Sequence, residues 1–144
     1  MEYTLAIIKP DAVARNLTGR ILAHLEEDGF RIRGIRMLRL SEAEAREFYA
    51  VHRERPFYES LVRFMTSGPV VPVLLEREGA VARLREVIGA TDPAEARPGT
   101  VRALYAESKE RNAIHASDAP ETAQRETAFF FATADVLRAA PDAA

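Results

Sequence analysis

From Tyr3 to Ile8 the chain runs Tyr-Thr-Leu-Ala-Ile-Ile, a short apolar, β-branched stretch that predicts a buried strand. Pro10 prevents its simple continuation. Apolar positions then recur at helical spacing. Ile21, Leu22 and Leu25 share a face and predict a helix over Thr18 to Asp28, with Gly29 as its stop. Arg31 to Leu40 alternates at the strand period, but the apolar phase slips near Gly34, as a bulge would make it do. Ser41-Glu42-Ala43-Glu44 is a capping box that opens a helix to about Ala50, and a short helix fits Tyr58 to Met65. Gly68-Pro69 precedes a strand from Val70 to Glu76. Val81, Leu84 and Ile88 share a face of a helix over Gly79 to Ile88. Asp118-Ala119-Pro120-Glu121 starts a helix through Glu126, and Phe129-Phe130-Phe131 reads as a closing buried strand.

The long elements therefore follow the order β-α-β, helices, β-α, a long irregular segment, α-β. That is the skeleton of an α/β (α+β), ferredoxin-like βαββαβ sandwich: a four-stranded antiparallel sheet covered by helices, with an inserted loop before the second half. Residues 1–138 are expected to form a single domain, with 139–144 as a flexible tail.

Composition narrows the chemistry. The 144 residues are one domain's worth of chain, and 47% hydrophobic residues can build a real core. There is no cysteine, which excludes disulfides, zinc–thiolate sites and thiol nucleophiles. A net charge of −2 gives no global attraction to nucleic acid or anionic membrane. The N-terminus lacks a basic leader, and the run Val70 to Leu75 falls far short of the roughly 20 residues that cross a bilayer. A cytoplasmic protein is the expectation by elimination. Any phosphate site must be a local arrangement of cations.

Of the 20 basic residues only Lys9 and Lys109 are lysine, and Lys9 stands directly after the first apolar strand. Lysine is a compact point charge where arginine is a planar fork. The histidines are His24, His52 and His115. His115 lies in Asn112-Ala113-Ile114-His115-Ala116-Ser117-Asp118, and Glu126 follows on the helix that Asp118 opens. A carboxylate there can return to fix one imidazole nitrogen and leave the other as a nucleophile. With a reference pKa of about 6.5, imidazole is mostly neutral at pH 7 and needs no activating base. On spacing alone, a loop histidine that merely bonds backbone remains the other reading. Lys9, Arg85 and Arg102 could supply charge, and Thr91 and Tyr49 neutral donors, to a phosphoryl group. Spacing cannot bring them together.

The stretches IIKPDAV (7–13), HRERPFY (52–58), FMTSGPVV (64–71), GATDP (89–93), PGTVR (98–102) and NAIHASD (112–118) together resemble the nucleoside diphosphate kinases, in matching order from about Tyr3 to Phe131. The resemblance implies a phosphotransferase that moves the γ-phosphate of a nucleoside triphosphate to a nucleoside diphosphate by a ping-pong route. It implies His115 as the phosphorylated residue, through its δ nitrogen, oriented by Glu126 and Ser117. Lys9 and Asn112 would contact ribose and phosphates, while Tyr49, Arg85, Thr91 and Arg102 hold the phosphate chain and Phe57 stacks on the base. Mg²⁺ would ride on the nucleotide with no metal ligand from the protein. Substrates would be ATP, ADP, GDP and related nucleotides, and the assembly a homo-oligomer, tetramer or hexamer, built from dimers.

Departures from the family pattern carry their own expectations. Ala12 and Ala116 replace glycines and matter only where the backbone needs positive φ. Leu104 stands where an acidic residue often supports Arg102, and Lys109 where an aliphatic side chain often covers the base. Pro72 argues for an edge strand where the family fold has an internal one, and predicts a bulge or a missing ladder bond. His24 and His52 are placed outside the site. Other readings are a catalytically weak nucleotide-binding relative and an RNA-binding ferredoxin-like module; the latter wants aromatic pairs and a basic face that this chain lacks.

Overall fold

A computed structural model describes residues 1–139. Strands β1 (Glu2–Ile8), β2 (Arg31–Ile35), β3 (Val71–Arg77) and β4 (Ile114–Ala116) form one antiparallel sheet in the order β2-β3-β1-β4. Helices α1 (Pro10–Ala14) and α2 (Thr18–Glu27) follow β1, while α3 (Glu42–Phe48) and α4 (Tyr58–Met65) lie between β2 and β3. Helices α5 (Ala80–Ile88) and α6 (Val101–Tyr105) precede β4, and α7 (Pro120–Phe130) and α8 (Thr133–Ala139) follow it. This is the expected βαββαβ sandwich. The expected tail lies, from residue 140 onward, outside the described residues.

Alternation along the strands divides the core in two. Ala6 and Ile8 of β1 join Val71, Val73 and Leu75 of β3 and pack against Ile21 and Leu25 of α2 and Leu84 and Ile88 of α5. Leu5, Ile7 and Leu74 point the other way, toward Phe48 of α3, Val62 and Met65 of α4, and Phe130 of α7. Each such side chain, fully buried, contributes about 1.5–3 kcal/mol, against about 0–1 for a surface ion pair. The two apolar layers therefore hold β1 in place. They also cover both faces of the sheet, leaving none open for RNA bases to stack on.

Phe129-Phe130-Phe131 is not a strand. Helix α7 runs on to Phe130 because Ala123, Glu126, Thr127 and Phe130 recur at helical spacing on its buried side, and only Phe131 returns to extended backbone. The closing strand is instead Ile114–Ala116, three residues around the histidine. Pro10 does not merely interrupt β1. It occupies the first position of α1, where its missing N–H is no loss.

The expected bulge falls in β2, where register shifts between Ile32 and Gly34. A Cβ on Gly34 would sit 2.9 Å from the Phe131 ring, so glycine is what lets the strand approach Phe131, just past α7. Pro72 lies in β3, which is internal. Arg36 N–H donates to the Pro72 carbonyl at 3.1 Å, and the reciprocal bond has no donor. Strand β2 ends one residue earlier, at Ile35, and pairing resumes only at the Leu38–Val70 bridge. The missing ladder bond is thus absorbed where the neighbouring strand breaks.

Candidate active site

His115 is the middle residue of β4 and pairs with Ile7 of β1. Cross-strand partners share a face, so its imidazole joins the α3/α4/α7 side of the sheet. There its ring meets Phe48 and Tyr49 edge-on, with centroids 5.6 and 6.2 Å away. Its side chain is 21% exposed, enough to be reached and too little to swing freely.

Glu126 reaches the ring from α7, one turn before the Phe130 knob that fixes the helix in the core. Its Oε1 lies 2.7 Å from His115 Nε2 and accepts a second bond from Ser117 Oγ, also at 2.7 Å. Burial alone would raise the Glu126 carboxyl, but His115, Ser117 and Arg125 outweigh it and hold the group below its ordinary value. An ionised carboxylate only accepts, so Nε2 carries the proton. In the neutral ring that leaves the lone pair on Nδ1.

The cations converge from three elements. Lys9, 6% exposed at the end of β1, donates to Asn112 Oδ1 at 2.9 Å and to the Glu110 carbonyl at 3.2 Å. Asn112 in turn donates to the Thr91 carbonyl at 3.3 Å. Arg102, buried on α6, donates to the carbonyls of Gly89 (3.0 Å) and Ile114 (2.7 Å). Arg85, on α5, donates to the Ala116 carbonyl at 3.3 Å. Two backbone carbonyls thus hold Arg102 where an acid at position 104 is lacking, and Leu104 is exposed. Gly89 has φ 89°, and a Cβ there would lie 2.5 Å from Thr100 Oγ1, so the loop that receives Arg102 closes only on glycine.

Burial, then the charge of Arg102, pushes the Lys9 ammonium down to about 8, although Asp11 and Glu110 act against this. Burial and Arg85 push Arg102 down to about 10. Burial and the Glu126 charge raise the Tyr49 phenol. Tyr49 Oη and Arg102 Nε are buried with no hydrogen-bond partner among the described residues. Buried polar atoms left unpaired are uncommon, and a water, an ion or a ligand satisfies them.

Phe57, just before α4, is 47% exposed. It shares a cavity of about 350 Å³ with Leu61, Thr91, Lys109 and Glu110. A second cleft, of about 510 Å³, takes in Arg85, Gly89, Thr91 and Arg97, so the two meet at Thr91. An apolar slot thus adjoins a polar one, where Glu86 and Glu95 accompany the two arginines. Among the described residues no group of three or more His, Cys, Asp or Glu could hold a metal ion.

The fold therefore brings together His115, Glu126, Ser117, Lys9, Tyr49, Arg85, Arg102, Asn112 and Thr91, with Phe57 at the mouth. His24 lies on α2, half-buried. His52 stacks on Tyr49, with ring centroids 6.4 Å apart, and its ring is tilted 56° against Phe57 at 5.4 Å. Ala12 and Ala116 do not have positive φ; among the described residues Asn16 and Ala113 are the non-glycine residues that do. Sequence reasoning missed Asp11, buried beside Lys9, and the Glu110 carbonyl. The acid was visible in the Lys-Pro-Asp triplet, and the carbonyl had no signal of its own.

The family model described as nucleoside diphosphate kinase matches residues 2–136. The chain is 57% identical over 137 residues to a nucleoside diphosphate kinase of a Nitratiruptor species, covering 95% of this chain and 100% of that protein. It is 59% identical over 136 residues to one from Gluconacetobacter diazotrophicus, covering 94% and 97%. The crystal structure of the Aquifex aeolicus nucleoside diphosphate kinase superposes with a TM-score of 0.91 at 50% identity, covering 93% of this chain and 97% of that one. The halophilic enzyme from Halobacterium salinarum, solved in complex with CDP, gives 0.89 at 40% identity, covering 93% and 90%.

Proposed function

Because this chain belongs to the nucleoside diphosphate kinase family, phosphotransferases that work through an active-site histidine, we propose that His115 Nδ1 is its nucleophile. The observation that carries the assignment is the 2.7 Å bond between His115 Nε2 and Glu126, which occupies one ring nitrogen and aims the other. Nδ1 attacks the γ-phosphorus of a nucleoside triphosphate, forming the P–N bond as the bond to the β–γ bridging oxygen breaks. The diphosphate leaves. A second diphosphate then attacks the phosphohistidine through its terminal oxygen, and the imidazole departs as it arrived.

Glu126 and Ser117 orient the ring and stabilise the positive charge it gains during attack. Lys9, Arg85 and Arg102 receive the phosphate chain with Thr91 and Tyr49, and Asn112 with Lys9 reaches the ribose. The lowered Lys9 and Arg102 support this reading, since burial and their neighbouring cations leave both with charge that an arriving phosphate would stabilise. Phe57 offers the base a stacking face, which accepts any base. Lys9, Arg85 and Arg102 carry donors alone and cannot ligate a cation, which fits Mg²⁺ carried on the nucleotide. Bound with the nucleotide, that ion would supply positive charge to offset that of the phosphate chain.

The substrates proposed are nucleoside tri- and diphosphates, including ATP, ADP and GDP, in the cytoplasm. No helix among the described residues is long and apolar enough to cross a membrane. We further read residues 1–138 as one catalytic domain and the protein as a homo-oligomer, tetramer or hexamer, of dimers. Exposed Ile35 and Met37 at the β2 edge support assembly, and light scattering measures its order.

The experiment is incubation with ATP labelled at the γ-phosphate. The label is expected to be acid-labile and alkali-stable, absent from His115→Ala, and chased onto added diphosphates. Stoichiometric label on His115→Ala overturns the assignment, and no label on the parent protein favours a nucleotide-binding relative without turnover.

A further inference from the structure

Ala113, two residues before His115, has φ 74°. The Ile114 N–H donates back to the Asn112 carbonyl at 2.9 Å. Together these make a γ-turn of the positive-φ kind, a rare and strained conformation for a residue with a Cβ. The turn joins the two groups whose spacing matters, the Asn112 amide and the His115 ring.

Both polar backbone groups of Ala113 are held from one short segment. Lys9 N–H donates to its carbonyl at 2.9 Å, and its own N–H donates to Asp11 Oδ2 at 3.1 Å. Asp11 is 1% exposed, and its Oδ1 has no partner among the described residues. Burial raises its carboxyl, with the Lys9 charge and the Ala113 amide acting against the rise. Its own amide and that of Ala12, in the first turn of α1, also favour the charged carboxylate, but the Ala113 N–H reaches it from 102 positions away. A carboxylate kept in so unfavourable a place is explained by what it grips.

We propose that Asp11 is a positioning residue for the nucleophile: its carboxylate pins the strained Ala113 turn and thereby sets His115 and Asn112 against the phosphate pocket. It touches no reacting atom, and the inference rests on His115 as the nucleophile. Glycine adopts positive φ without strain, so a turn built on glycine holds without the pin. The loss caused by removing Asp11 must then depend on the residue at 113.

The test is single-turnover phosphorylation of the full chain by labelled ATP, comparing Asp11→Ala with and without Ala113→Gly. Small displacements of reacting groups cost up to about 10²-fold. In the parent background Asp11→Ala is expected to slow labelling by about ten- to a hundredfold, and in the Ala113→Gly background by no more than about threefold. Phosphoramidate needs the imidazole but no aligned nucleotide, so it labels Asp11→Ala at the parent rate. An unchanged rate with ATP, an equal loss in both backgrounds, or a parallel loss with phosphoramidate overturns the proposal. Should Asp11→Ala not fold alone, the double variant is read against Ala113→Gly. Near-equality supports the pin, and about a tenfold gap overturns it. His115→Ala in each background is the separate check: label surviving there sinks the nucleophile assignment and leaves the turn untouched.

Discussion

Replacing Glu126 with glutamine keeps the shape of the side chain and removes the charge that faces His115. The carboxylate is 4% exposed and makes two 2.7 Å bonds, from His115 Nε2 and Ser117 Oγ. The amide oxygen of glutamine can still accept both. What changes is the response when Nδ1 bonds phosphorus and the ring becomes cationic. A hydrogen bond to a charged group contributes about 1.5–3 kcal/mol, against about 0.5–1.5 for a neutral pair. Glu126→Gln therefore removes about 1–2 kcal/mol from the transition state, or about 5- to 30-fold in rate. Nucleotide affinity is expected to hold, because the carboxylate lies behind the ring and not in the pocket. Rapid-quench phosphorylation across ATP concentrations separates the two quantities, and urea unfolding checks that the fold survives. A maximal rate within about twofold of the parent would refute the electrostatic role, as would a loss confined to affinity.

Lys9, with its pKa near 8, loses charge as pH rises through that value. Since kcat/KM reports the free protein, it should fall from about pH 8 upward while kcat stays flat, because bound phosphates keep the lysine charged. Stability moves the other way. The folded pKa lies below the ordinary 10.5, so the penalty for burying the ammonium is full below pH 8 and is relieved as pH rises toward 10.5. A kcat/KM flat to pH 10 contradicts the reading. Tyr49→Phe removes a buried hydroxyl that has no partner among the described residues, and should raise nucleotide-free stability by about 1 kcal/mol while slowing phosphorylation. A variant less stable to urea than its parent shows that the hydroxyl is bonded after all.

The elements legible in sequence were those with enough residues to display a period. Thr18–Glu27 announced itself through Ile21 and Leu25, and Ser41–Glu44 through a capping box that forms as read. Phe129-Phe130-Phe131 misled because three aromatics in a row have high strand propensity and no visible period. Their helical phase appears only when Ala123, Glu126 and Thr127 are counted with Phe130. Strand β4, at three residues, is too short to alternate at all. Within the site, the residues were legible one by one, but their meeting was not. The Lys9–Asn112 bond spans 103 positions, and only the β1–β4 pairing brings its ends together. Asp11 stayed hidden for a related reason, since its meaning lies in the backbone of Ala113.

The placement of the histidine on β4 also constrains how this chain can change. Ile114 and Ala116 face one apolar layer and His115 the other, so the strand obeys parity. A net gain or loss of one residue between α6 and β4 that shifted the β4–β1 pairing by a single step would turn the imidazole into the layer of Ile21 and Leu84, and bring an alkyl group to Tyr49 and Glu126. Insertions there are tolerable only if the loop bulges and the pairing of His115 with Ile7 stays. Length variation in that stretch is thus quantised by the pleat, however exposed the loop itself is.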